Sequence, residues 1–404
     1  MQPIIDTIWQ NKEWIFSGIG ISIIATLFWL FRRLFQPKES STTSIEEQTV
    51  THSNITGSEN QPSDQSVIYQ ANSQTIYHGM TYKDVESIAT RIFEASIQTY
   101  THEARDEIER RSTELRDEFT KKMKGKSLPA KNMADPGMQY AFHQAQSQFV
   151  RTGDKDLLGL LVDLLIHRQQ HANRSVEQIA IDAAIKEGAN LTQSQFNILT
   201  LKFVLSRTIR LDLQNRDAFA EYVKGYIIPF LEPLQISVST IEHLYSTRTV
   251  RSLGTSKFRS LPHIMFNRYP GLFSSGFTEN EWKSAGITDA NYKSLLIPCL
   301  NDKNKLQIAA LTTAVAEERI RQLDPASTFK PQILRFLQNY KLNEDEIQKL
   351  FTDVDSKCQR LFNFWNNDAL RSVDLTTTGI AIGYANLSRL HPNESAPLTI
   401  WISE

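Results

Sequence analysis

The sequence predicts a mostly α-helical protein with a single N-terminal transmembrane helix, a flexible linker, a short β-hairpin and a multi-helix cytoplasmic body. Three observations carry this expectation. The stretch from Trp14 to Phe31 runs without a charged residue. A polar stretch of Ser, Thr, Glu and Gln follows, with few apolar residues to bury. Beyond residue 80, apolar residues recur mainly at the helical spacing of three and four.

Residues 1–13 read as a short extracytoplasmic N-terminus and 14–35 as the span. As a helix, Trp14 to Phe31 rises about 27 Å, close to the hydrocarbon thickness of a bilayer. Trp9 and Trp14 at one end, and Trp29, Phe31 and Phe35 at the other, suit the headgroup layers. A cleavable signal peptide would begin with a basic region and end on small residues; Asp6 and Glu13 lie before this run and bulky residues follow it. Arg32, Arg33 and Lys38 on the far side outweigh Lys12 on the near side, so the N-terminus points out and the body lies in the cytoplasm. Gly18, Ser22 and Thr26 share one face, a spacing that lets two such helices approach closely.

Residues 36–65 read as the linker. Residues 66–79 hold two β-rich runs, Val67-Ile68-Tyr69 and Thr75-Ile76-Tyr77, around Asn72-Ser73. They predict a hairpin that needs a second surface, within the chain or on another copy, and so serve as a candidate oligomerisation element. Residues 80–127 predict one long, charged helix with a thin apolar stripe at Ile108, Leu115 and Phe119, a stalk or coiled-coil arm. Residues 128–210 carry the strongest amphipathic patterns and form a helical subdomain. Residues 211–404 form a second, mostly helical subdomain, closing on Leu398–Ile402 as a short strand.

The 404 residues carry a formal net charge of -1, which gives no whole-chain case for a nucleic-acid partner. The two cysteines, Cys299 and Cys358, sit in apolar helical patterns away from each other and read as small core residues of a reducing compartment. No cofactor motif is read: Gly125-Lys126-Ser127 lacks the earlier glycine of a phosphate loop, with Thr120 in its place. No catalytic set and no metal site are assigned. Candidates for a metal are Asp163, His167 and His171, four apart at what reads as the exposed end of a helix. Asp353 and Asp355, with Lys357, resemble acidic nuclease sets but fall in a helical context. Arg259 and His263 lie in a Pro-containing loop without the spacing of a helical ribonuclease. Arg248, Arg251, Lys257 and Arg259 form a basic loop, a candidate for binding anionic lipid or, less naturally, nucleic-acid phosphate.

Several segments resemble a family of bacterial proteins named after the locus prefixes LPO and Vpar. They are NSQTIYHGMTYKDVESIATRIFEAS, then MADPGMQYAFHQAQSQFVRTGDKDLLGLLVDLLIHR, and finally LTTTGIAIGYANLSRL with LTIWI. The family carries no established activity, so the resemblance transfers no site residues. It implies a bacterial source, hence an inner-membrane location, and a membrane-proximal or oligomeric assembly. The opening WIFSGIGISII is similar to anchors of varied bacterial membrane proteins, whose genes often accompany phage defence. The expected function is a membrane-anchored, non-enzymatic oligomeric scaffold or sensor, with the bilayer, further copies of the chain and a protein as partners. The alternatives are a membrane-tethered metal-dependent nuclease and a lipid- or nucleic-acid-binding module.

Overall fold

The computed structural model describes residues 81–94, 101–170, 174–287, 290–392 and 396–402. The span at 14–35 with Gly18, Ser22 and Thr26, the linker at 36–65, the hairpin at 66–79 and His171 lie outside the described residues. Among the described residues no helix is long and apolar enough to cross a membrane.

Helices dominate, and their boundaries follow local chemistry. After α1 (Tyr82–Glu94) and α2 (His102–Gly125), Asp135 caps α3 (Pro136–Thr152), accepting from the Met138 amide at 2.8 Å with Pro136 in the first turn. Helix α3 stops at Gly153, whose φ of 68° is the left-handed stop glycine adopts readily. Helix α4 (Lys155–Gln170) is apolar on nearly every face and buried to match. Ser175 caps α5 (Val176–Gly188), and a Thr192–Gln195 capping box opens α6 (Gln193–Arg207). Next come α7 (Arg216–Tyr226), α8 (Val238–Ser246), strand β1 (Val250–Ser252), α9 (Leu261–Arg268), α10 (Glu279–Ser284) and strands β2 (Leu296–Pro298) and β3 (Leu306–Ile308). The chain continues through α11 (Thr313–Leu323), α12 (Lys330–Asn339), α13 (Glu344–Val354), α14 (Cys358–Trp365), α15 (Asp368–Arg371), β4 (Val373–Leu375) and α16 (Thr377–Ser388). The strands make two antiparallel pairs, β1 with β4 (Arg251 opposite Asp374) and β2 with β3.

Two hydrophobic clusters organise the body. The larger runs from Val85 to Ile402, and within it α16 packs on α6, α5 and α4. The smaller gathers Phe277, Trp282, Tyr292, Ile308, Ile333 and Phe336 around α10, α11 and α12. The boundary expected near residue 210 is therefore corrected: the larger core crosses it, because the last helix returns to the first ones. The long charged helix is corrected too. It is two helices, and α2 is docked rather than free, with Leu115, Phe119 and Met123 fully buried against α3 and α4 while Glu107 and Arg110 pair on its outer side at 2.7 Å. The closing strand is instead a 3-10 turn at Leu398–Ile400. Leu398 and Ile402 enter the larger core, and the Trp401 indole donates to the Arg207 carbonyl at 2.8 Å.

Cys358 begins α14 as expected, but Cys299 follows a strand rather than lying in a helix. Both are buried and free. Burial, and then Asp355, push the Cys358 thiol up to about 12, so little thiolate forms at neutral pH. Treating the folded protein with N-ethylmaleimide should leave both thiols unmodified by mass spectrometry over a time that labels both in urea. Rapid native labelling of Cys358 would contradict its buried position.

Candidate functional site

The structure sorts the residues picked from sequence. The end of α4 is interior as far as Gln169, not exposed. Asp163, only 2% exposed, is held by the Lys122 amine from α2. Burial raises its pKa, against the opposing pull of Lys122. The His167 ring sits edge-on against Tyr384 with centroids 4.9 Å apart. Next to it Arg168 reaches Asp182 at 2.9 Å and Asp135 at 3.5 Å. Among the described residues no three His, Cys, Asp or Glu side chains gather to hold a metal ion. Asp353 and Asp355 end α13, where the Asp355 carboxylate accepts from the Lys357 amide at 2.8 Å, and Lys357 faces Glu232 at 4.0 Å. Gly125-Lys126-Ser127 is the C-terminal end of α2. His263 lies in α9 rather than in a loop.

The basic segment is partly a strand, since β1 pairs with β4. Arg251 reaches Asp374 at 3.2 Å and Lys257 reaches Asp368 at 3.1 Å, so two of its four cations are answered within the chain. Arg248 and Arg259 are exposed, and the Arg259 carbonyl accepts from the Trp365 indole at 2.9 Å. Beneath this segment lies a residue that sequence reasoning passed over. Lys202, at 0% exposure, donates to the Leu370 carbonyl at 2.9 Å and lies 4.3 Å from the Phe258 ring centre and 5.2 Å from that of Trp365. Burial lowers its pKa to about 7, partly opposed by Asp374. Burial also pushes Asp374 up, but Arg207 and Arg251 more than offset that and hold it below the usual carboxylate range. A lone lysine inside the apolar run LTLKFVL was the available signal.

A roomier hollow lies elsewhere among the described residues. A cleft of about 600 Å³ opens between α9 and α13, which belong to the larger core, and the starts and ends of α11 and α12, which belong to the smaller. Pro262, Phe266, Pro270 and Ile347 are buried residues that form its floor. His263, Asn267, Gln338, Lys341, Asn343 and Glu344 are exposed around its rim. Short backbone bonds place the rim lysine: the Ser275 amide donates to the Tyr340 carbonyl, and the Leu342 amide to the Phe273 carbonyl, both at 2.9 Å. An apolar floor with converging polar groups at a seam between two cores is the usual form of a small-molecule site. Of these residues the sequence had drawn notice only to His263, and for a different chemistry.

A family model of the locus-named "-like" type matches residues 79–402. The chain belongs to this family. No curated protein and no solved structure matches it. The LPO/Vpar segments now have a physical place: the Met133–Arg168 block forms α3 and α4, and the Leu375–Leu390 block forms α16, which packs on α4. Most of the LPO/Vpar segments quoted above therefore lie along one packed interior, while the cleft is built from other parts of the chain.

Proposed function

We propose that this protein is a membrane-tethered, non-enzymatic sensor that assembles as a homo-oligomeric scaffold on the cytoplasmic face of a bacterial inner membrane. The uncharged run Trp14–Phe31 followed by Arg32 and Arg33 supports the tether and its direction. Gly18, Ser22 and Thr26 support close association of spans. The observation that carries the sensing role is the cleft between the two hydrophobic cores, because a molecule seated there touches helices of both. Acids that chemistry could have used are instead committed to internal pairs, Asp163 to Lys122 and Asp374 to Arg207. The anchor's similarity to those found beside phage-defence genes makes infection the setting in which to look for the signal.

Fractionation and cross-linking of the full chain in native membranes test this reading. The chain should stay with the membrane through a carbonate wash, give cross-linked dimers or larger species, and leave the membrane when residues 1–35 are deleted. Recovery in the soluble fraction, or only monomer at every cross-linker dose, would overturn it.

A further inference from the structure

We propose that the pocket walled by α6, α7, α16 and Trp401 binds a neutral, single-ring aromatic compound that carries one hydrogen-bond-accepting oxygen, of the aryl ketone class. The pocket lies within the larger core, apart from the cleft between the cores, so this site does not rest on the sensor reading.

Size and walls come first. The pocket holds about 130 Å³, and an apolar cavity of roughly 150 Å³ takes one benzene ring. Phe203, Tyr222, Tyr226, Tyr384 and Trp401 line it, with the exposed Ile209. The rings hold one another in place: Phe203 meets Trp401 edge-on with centroids 4.9 Å apart, and Tyr384 stands 5.8 Å from Trp401. A space between rings fixed in this way favours a ring over an aliphatic group of equal area, because aromatic pairs add an electrostatic gain to their burial. The lining cation, Arg210, is already answered by Asp212 at 2.5 Å, so the ligand need not bring a charge.

One hydroxyl then defines the polar end. Other polar side chains of the walls spend their protons inside the chain. Thr208 donates to the Val204 carbonyl at 2.8 Å, Tyr384 to the Ala396 carbonyl at 2.9 Å, and the Trp401 indole to the Arg207 carbonyl at 2.8 Å. Tyr222 breaks the pattern. It is only 4% exposed and lines the pocket, yet its hydroxyl has no hydrogen-bond partner among the described residues. Burial, and then Tyr269, push its pKa up, so the phenol keeps its proton and can donate it. A water molecule answers it poorly: a buried water is held by about three hydrogen bonds, and the donors beside it are spent. An alcohol or phenol would bring a further O–H in need of an acceptor. A ketone oxygen only accepts, so it takes the Tyr222 proton and leaves no new donor unmet, while its ring covers the aromatic walls.

Isothermal titration of the full chain in nanodiscs, with empty nanodiscs as the lipid background, tests the site with acetophenone, ethylbenzene and cyclohexyl methyl ketone. Acetophenone should bind about fivefold more tightly than either of the others, the first comparison reading the hydrogen bond and the second the ring. Tyr222→Phe should weaken acetophenone about fivefold, to the level of ethylbenzene, and leave ethylbenzene unchanged, which also shows that the variant folds. Ile209→Trp, which fills the pocket from an exposed position, should abolish binding of all three while the melting temperature stays near that of the wild type. Three results would each overturn the proposal and leave Tyr222 facing water alone: no saturable binding above the lipid background, acetophenone no tighter than one or other of its two analogues, or a Tyr222→Phe protein that binds acetophenone as the wild type does.

Discussion

Gly379→Ala should cost about 3 kcal/mol or more of folding stability, the upper end of what overpacking a core does. A Cβ on Gly379 would lie 2.0 Å from the Thr249 carbonyl oxygen and 3.0 Å from its carbon. That neighbour is backbone and cannot rotate away. It is also held in place, because the Thr376 amide donates to the same carbonyl at 3.1 Å and the Thr376 hydroxyl to the Arg248 carbonyl at 2.6 Å. Relief would require α16 to back off, which would open its contact with α6, where a Cβ on Gly383 would stand 2.8 Å from the Leu199 oxygen. Alanine is the better helix former by about 1 kcal/mol, and the clash must outweigh that gain. Gly383→Ala should be milder, about 1–2 kcal/mol. Gly125, at the end of α2 with nothing within 4 Å of a built Cβ, is the control and should tolerate alanine. Urea unfolding of the three variants gives the order; a Gly379→Ala protein as stable as the Gly125 control would refute the close approach of α16.

The second large effect is a dependence of stability on pH set by Lys202. Unfolded, its amine holds a proton up to about pH 10; folded, burial lets the proton go near pH 7. Between those values the unfolded chain binds more protons, so stability rises with pH, at up to about 1.4 kcal/mol per unit. The penalty for burying the charge is present in full below pH 7 and fades as pH climbs towards 10. Lys202→Met removes the titrating group, at a cost of about 1 kcal/mol for the Leu370 carbonyl left without its donor. The variant should be favoured over the wild type most strongly at pH 6, and that advantage should shrink by a few kcal/mol by pH 10. Asp374, held below the usual carboxylate range by Arg207 and Arg251, is already ionised throughout this window and cannot produce the rise. Burial raises the pKa values of Tyr222 and Tyr269, which lowers stability above about pH 10 in both proteins and cancels in the difference. Parallel stability curves for the two proteins would mean that Lys202 keeps an ordinary pKa.

Much of the body was legible residue by residue. The Asp135-Pro136 start, the Thr192 cap and the apolar spacing of α3 to α6 are local signals, and local hydrogen bonding honours them. The stripe at Leu115 and Phe119 was visible, but not what it faces. The polar side chains at the end of α4 looked exposed because a run such as HRQQ usually is. As far as Gln169 they are interior, because Lys122, Asp135, Asp182 and the Pro129 carbonyl come to meet them from elsewhere in the chain. The closing LTIWI has the composition of a strand, yet Leu398, Trp401 and Ile402 gain more by reaching the core than by pairing along an edge.

By itself the sequence determined the helical class, the burial of both cysteines and the LPO/Vpar resemblance, because each depends on neighbours within a few residues. Only the tertiary structure decided that the last helix closes on the first ones, that Lys202 lies beneath the basic segment, and that His263 and Lys341 share one cleft. Those pairings join residues far apart along the chain, and no local propensity encodes them; they arise where two packed cores meet and their surfaces leave a space.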